Sequence, residues 1–427
     1  MEEYSEHVYE EKPIYDTSRW TDVEDEEVTN DAEETDIEPY NPEELSIDTR
    51  PFVMDALLRR LKLGMIVLHP NFQRNEVWTQ EKKSLLIESL MLNIPLPMFY
   101  VSSDEDGYLT VVDGLQRISA IRDFVLGQDY LNSGMTDAER NQSLLGHGMQ
   151  LKNLEFWTEL NGKQFCELPQ KLQNRILETQ FQFTIINPGT PEEVKRNIFK
   201  RINTGGLPLS SQEIRNAIYA GKATDLLEEM SKLKVFRTAT GESVKSIRLE
   251  DRELILRFVS FLVRNYKDYN KTVTADKWLS DTMIILNAMP NMDTREYRKL
   301  ISKLKEEPWK IKILSKDEII EYFTIAMERS HKLFGKHAFR KSYGDQARRP
   351  INRCLFETWA YIMGRYTDEE FEKLLVNNRR FKAEYTKILD DIEFQNAIQR
   401  QSMKHSALKY RFNTLIELTD KYAKELC

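Results

Sequence analysis

The chain has 427 residues, 41% of them hydrophobic, enough apolar material for two or three compact units with their own cores. Its three cysteines, Cys166, Cys354 and Cys427, are odd in number and far apart, which excludes a disulfide framework and a paired-cysteine zinc site and fits a reducing cytoplasm. The net charge of −8 is uneven: residues 1–50 hold 19 acidic and three basic side chains (−16), and the remainder 58 basic and 50 acidic (+8). A mildly basic body can attract phosphates while a tethered acidic arm competes with them. No basic-then-apolar leader and no run near the roughly 20 apolar residues of a bilayer span is found, so the expectation is a cytoplasmic protein with no membrane contact.

Residues 1–46, with few aliphatics and clusters such as Glu24-Asp25-Glu26-Glu27, read as an acidic disordered tail: a solvated arm, or one that mimics nucleic acid or binds a partner. Order is expected from about Ile47. Helical spacing starts at Pro51 through Phe52, Leu57, Leu58 and Leu61, and Met65–Leu68 reads as a short strand. A helix over about Thr79–Leu92 is stopped by Ile94-Pro95-Leu96-Pro97. Met98–Val101 and Tyr108–Val112 then form a hairpin around Asp104-Glu105-Asp106-Gly107. Across Asp113-Gly114 the period changes from strand to helix, with Leu115, Ile118, Ile121, Phe124 and Val125 on one face. Residues 127–165 read as an irregular insertion with one strand near Leu154–Trp157. Gln180–Ile186 reads as a strand, and Thr190-Pro191-Glu192-Glu193 opens a helix through Phe199. Beyond Ser210 the chain is helical, with capping boxes at Ser210/Glu213, Ser315/Glu318 and Thr367/Glu370.

Three polar clusters carry the candidate chemistry. Asn71-Phe72-Gln73-Arg74 lies in the loop before a helix, where Arg74 serves an anion or a neighbouring carboxylate. Asp113-Gly114-Leu115-Gln116-Arg117 sits at the strand-to-helix turn, where free N–H groups and the helix dipole favour phosphate. There Gly114 permits close approach, Gln116 donates, Arg117 neutralises charge, and Asp113 holds a divalent metal or orients an arginine. The alternative makes Asp113 a cap and Gly114 a turn residue, with no ligand. The third cluster, Phe199 through Gly206, ends a helix; capping explains its glycines, and Asn203 least.

Taken in order, Phe72-Gln73-Arg74, Asp113-Gly114-Leu115-Gln116-Arg117 and Phe199 with Asn203 resemble the FQR, DGQQR and FxxxN elements of the N-terminal domain of GmrSD-type restriction enzymes. The resemblance spans roughly 50–220, and the Ile94-Pro95-Leu96-Pro97 segment is also similar. It implies an α+β fold, with a ParB/sulfiredoxin-like N-terminal domain (47–220) followed by a mostly α-helical domain (221–427). It further implies a nucleotide- or phosphate-binding, NTP-hydrolysing component of a restriction or anti-phage system, with NTP and Mg2+ as cofactors. Asp113, Gln116 and Arg117 would be catalytic, with Asp113 also the metal ligand. Gln73, Arg74, Gly114, Arg117 and Asn203 would contact phosphate. Leu115 replaces the first glutamine of DGQQR, which leaves open a non-catalytic module that binds DNA or a separately encoded defence or nuclease partner.

The family's frequent HNH nuclease needs clustered histidines around a metal. The six here, His7, His69, His147, His331, His337 and His405, are scattered, so no such centre is expected. No P-loop pattern occurs. The helical half offers Arg340-Lys341, Arg348-Arg349 with Arg353, Arg379-Arg380 with Lys382, and Lys404 through Arg411, among the aromatics Phe339, Tyr343, Phe381 and Tyr410. Arg340, Lys341, Arg348 and Arg349 are the candidate DNA contacts.

Overall fold

The computed structural model describes residues 22–24, 46–68, 78–104, 106–127, 148–202, 210–246, 248–271, 273–290, 294–304, 310–399 and 404–424. Two compact units result, one of residues 31–225 with 275–288, the other of 1–30, 226–274 and 289–427.

The first unit is α+β. Its elements are β1 (Ile47–Val53), α1 (Met54–Lys62), β2 (Ile66–Val67), α2 (Gln80–Met91), β3 (Phe99–Ser103), β4 (Leu109–Asp113), α3 (Leu115–Val125), α4 (Gln170–Leu177), β5 (Gln180–Ile186), α5 (Glu192–Ile202) and α6 (Ser211–Ile218). The strands form one mixed sheet in the order β1-β5-β3-β4-β2. β1/β5 and β3/β4 are antiparallel; β3/β5 and β2/β4 are parallel. The expected hairpin is present. Asp104 closes it by accepting the N–H of Asp106 at 3.0 Å and of Tyr108 at 2.8 Å on its carboxylate, the Asx-turn chemistry expected of such a residue.

Met54, Leu57 and Leu61 of α1, Ile87 and Leu90 of α2, Ile118 and Phe124 of α3 and Ile176 of α4 pack with Phe99, Val101, Phe181 and Phe183 of the sheet into one core. The ring of Phe99 stacks on Phe183 at 5.0 Å and meets Phe181 edge-on at 5.5 Å, geometries that add to simple burial.

Two local expectations are corrected. Residues 47–53 form a strand, whereas helical spacing was expected from Pro51; the strand is at the sheet edge, where proline is tolerated, and Phe52 lies 4.7 Å from Phe183 of its neighbour. Leu154–Trp157 is a loop rather than a strand, because its backbone donors have a different acceptor. One stripe of α2, Gln80, Ser84 and Glu88 at four-residue spacing, holds this loop. The Gln80 amide donates to the Gln150 carbonyl at 2.7 Å, and the Ser84 hydroxyl accepts the Lys152 N–H at 2.9 Å. The Glu88 carboxylate accepts the N–H groups of Glu155, Phe156 and Trp157 at 2.9, 2.8 and 3.0 Å.

Beyond α6 the chain is helical, as expected: α7 (Lys222–Lys232), α8 (Lys234–Thr240), α9 (Glu250–Val263), α10 (Ala275–Ala288), α11 (Thr294–Leu304) and α12 (Lys316–Phe334). They are followed by α13 (Arg353–Met363), α14 (Asp368–Val376), α15 (Asn378–Asp390), α16 (Ile392–Ile398) and α17 (His405–Ala423). All three capping boxes form, at Ser210/Glu213, Ser315/Glu318 and Thr367/Glu370. Helix α10 belongs to the first unit. There its Asn287 accepts the Ala223 N–H at 2.8 Å and donates to the Tyr219 carbonyl at 2.9 Å.

In the second unit the buried carboxylate of Glu357 is bonded by the guanidinium of Arg411, and Arg257 approaches it at 3.3 Å while also reaching Glu253 at 3.0 Å. Part of the acidic arm also folds here. Val23 is 5% exposed and bridges to Ile351, although residues 1–46 carry the composition of a solvated tail. A single buried valine between two carboxylates is too little apolar content to register in composition. No described helix is long and apolar enough to cross a membrane.

Candidate functional site

The strand-to-helix turn is built around one glycine. Gly114 has φ +96°, left-handed backbone that disfavours a side chain. A Cβ placed there would lie 2.3 Å from Cδ1 of Phe99 and 3.2 Å from Nη2 of Arg117. The glycine therefore serves two needs, the turn itself and the close approach of backbone to the Phe99 ring. It ends β4 and starts α3 within one residue, which leaves the N–H groups of Leu115, Gln116 and Arg117 without acceptors inside the helix.

Arg117 is committed to the turn. Its Nη2 donates to Asp113 Oδ2 at 2.8 Å and to the Met98 carbonyl at 3.2 Å, and its Nη1 donates to the Pro97 carbonyl. The guanidinium carbon stands 4.4 Å above the Phe99 ring, a cation–π arrangement. Burial lowers the pKa of Arg117, and the neighbouring Asp113 opposes that shift. The side chain of Asp113 remains 36% exposed against 12% for Arg117, so the carboxylate borders solvent while the arginine is packed beneath it. Gln116 Oε1 accepts the Trp78 N–H at 3.3 Å, tying the start of α3 to a residue two positions before α2.

Of the first motif, Phe72, Gln73 and Arg74 lie outside the described residues, as does Asn203 of the third. Phe199 of the third motif is fully buried in a small core with Val112, Ile186, Ile214 and Ala217. Helix α5 is thus packed against the strand residue that precedes Asp113. Sequence reasoning did not single out Phe99 or the 97–98 carbonyls. The only local signal was the Ile94-Pro95-Leu96-Pro97 segment, which leads directly into both.

In the helical unit the candidate DNA contacts separate. Arg340 is 1% exposed and donates to the carbonyls of Thr240 and Arg349, to the Ser243 hydroxyl and to Asp22. Lys341 pairs with Glu24 at 2.7 Å, and Arg348 and Arg349 are exposed. Phe339 and Phe381 are buried to within 1%, so neither offers a ring to a base. Arg411 is fully buried on Glu357. Among the described residues no group of three His, Cys, Asp or Glu side chains is disposed to hold a metal ion.

A mixed sheet whose β4 passes through a glycine turn into α3, with an arginine one turn on locking the carboxylate before it, defines an α+β domain with a strand-turn-helix site. Residues 55–220 match the family model described as GmrSD restriction endonuclease, N-terminal domain. The chain therefore carries a GmrSD N-terminal domain and is a component of a GmrSD-type restriction system. No curated protein and no solved structure matches it.

Proposed function

We propose that the GmrSD N-terminal domain of this chain, with a ParB/sulfiredoxin-like arrangement, binds the phosphates of a nucleoside triphosphate at the Asp113–Arg117 turn and hydrolyses it. The observation that carries this reading is the left-handed Gly114, which puts the first N–H groups of α3 at the end of β4, beside a carboxylate open to solvent. Such N–H groups and the helix dipole suit a phosphate oxygen. Gln116 adds amide donors, and Gln73, Arg74 and Asn203 are assigned to the same phosphates by their motifs. Arg117 acts by positioning: with three of its five N–H groups on Asp113 and the 97–98 carbonyls, it holds the turn in shape.

The substrate is the Mg2+–nucleotide. With no described three-residue metal cluster, the ion would arrive on the phosphates, as Mg2+ commonly does, with Asp113 the carboxylate at hand. In hydrolysis a water oxygen forms a bond to the γ-phosphorus, the bond from that phosphorus to the bridging oxygen breaks, and the diphosphate leaves with the electron pair. In this reading Asp113 accepts the water's proton and the Gln116 amide orients the water.

Leu115 favours a second reading. It has no polar atom where the DGQQR pattern has an amide, so binding can persist without turnover, in a module that engages DNA or a partner. Phosphate release from each NTP with Mg2+, with and without DNA, separates the two. Turnover that falls at least about a hundredfold in Asp113→Asn, with unchanged thermal unfolding, is expected. Nucleotide binding with no release under any condition would leave only the second reading, and no binding by wild type would overturn both roles of the turn.

A further inference from the structure

A short acidic strand of the N-terminal arm occupies a cationic cleft in the helical unit. Val23 pairs in parallel with Ile351; the Glu24 N–H donates to the Ile351 carbonyl at 2.8 Å, and the Ile351 N–H to the Asp22 carbonyl at 2.7 Å. Extended backbone puts alternate residues on opposite sides, so while Val23 is buried, Asp22 and Glu24 present their carboxylates together. Asp22 accepts from Arg340 at 2.8 Å and lies 3.6 Å from Arg348. Glu24 is 2.7 Å from Lys341 and accepts from the Asn352 amide at 2.8 Å, and its carbonyl accepts from Arg353.

The cleft does not depend on its occupant for its shape. Arg340 is also fixed by the Thr240 carbonyl and the Ser243 hydroxyl, each at 2.8 Å. Asn352 donates to the Ile398 carbonyl at 2.8 Å and caps α13 by accepting the Leu355 N–H at 2.9 Å. Positive charge exceeds what the strand supplies: Arg340, Lys341 and Arg348 face two carboxylates, Arg349 is exposed beside them, and Arg353 has Glu250 and Glu253 at 3.7 and 3.9 Å. Donors preset for two anions in succession along an extended backbone suit a polyanionic strand better than a single small ion.

We propose that this cleft is a nucleic-acid phosphate site and that the Asp22–Glu24 strand is a tethered anionic mimic that occupies it. The net −16 of residues 1–50 against +8 for the rest gives the arm the sign and size of charge to compete with DNA. With Phe339 buried, contact is to the backbone, independent of sequence and steeply dependent on salt.

The test is equilibrium binding of a labelled DNA duplex to the full chain across a salt series. Asp22→Asn/Glu24→Gln is expected to bind at least about tenfold more tightly than wild type at low salt, with a log–log salt slope steeper by about 2. Adding Lys341→Ala and Arg348→Ala should abolish the gain. Val23→Asp, which evicts the strand by burying a charge yet makes the arm more acidic, should raise affinity too, and this separates release from simple neutralisation. Thermal unfolding verifies that each variant is folded. A synthetic peptide of residues 18–28 should reverse the gain in trans. Equal affinity of wild type and both release variants overturns the proposal, as does a cleft that binds the peptide but no DNA, which would make it a groove for acidic peptides instead.

Discussion

Gly114 and Arg117 show how few atoms hold the candidate site. The glycine satisfies a backbone that an L side chain resists by roughly 1–2 kcal/mol, and its missing Cβ is the space that Phe99 fills. Gly114→Ala is therefore expected to destabilise the first unit by roughly 2–4 kcal/mol, strain and overpacking together, as read from urea unfolding. A loss below about 0.5 kcal/mol, the level of an ordinary surface change, would mean that Phe99 moves aside freely. The turn residues Asp113 and Gly114 were legible in the sequence because they mark a change of period. The backbone partners of Arg117 were not, because they are carbonyls 19 and 20 residues earlier, which no side-chain pattern reports.

Among the elements, α2 is the one whose role differs most from its sequence. A helix over about Thr79–Leu92 was readable from the sequence, and Thr79 caps it, accepting the Lys82 N–H at 3.4 Å. Two of its charged residues are buried: Lys83 lies on Asp123 at 2.6 Å, and Glu88, 2% exposed, serves as a cap for a distant loop. Glu88→Ala would strip three backbone N–H groups of their acceptor. Since leaving a buried donor unsatisfied costs about 1–3 kcal/mol, a loss of roughly 2–4 kcal/mol is expected, with the amides of residues 155–157 losing hydrogen-exchange protection ahead of the sheet. Protection unchanged in that loop would show that Gln80 and Ser84 suffice to hold it. The same network accounts for the absence of a strand at Leu154–Trp157: its donors are already spent on a carboxylate.

At the scale of the whole chain, both units bury charge within an apolar, aromatic core. In the first, Asp123 lies between Lys83 and Arg122. In the second, Glu357 lies between Arg411 and Arg257. Removing one member of a buried ion network typically costs about 3–5 kcal/mol, because the partner's charge is left uncompensated. Glu357→Ala is expected to lower the stability of the helical unit by that amount in guanidinium unfolding, while Glu357→Gln, which keeps the shape and two polar atoms, should lose less. Equal losses would assign the effect to packing instead of charge. The docking of Asp22–Glu24 is also a feature of this scale, since Asp22 and Arg340 are 318 residues apart.

What the sequence alone determined is what repeats or reverses within a few residues. It specified the hairpin around Asp104, the capped helices, the change of period at Gly114 and the ordered motifs that place a GmrSD N-terminal domain at 55–220. These are local because alternation, 3.6-residue periodicity and capping act over one to four positions. Only the tertiary structure decided that residues 47–53 are a strand, that Arg117 braces the turn, that Glu88 caps a loop, and that three residues of an acidic arm lie in a basic cleft. Each of these depends on a partner brought near by the fold, and neither composition nor spacing encodes which distant carbonyl, ring or cation that partner is.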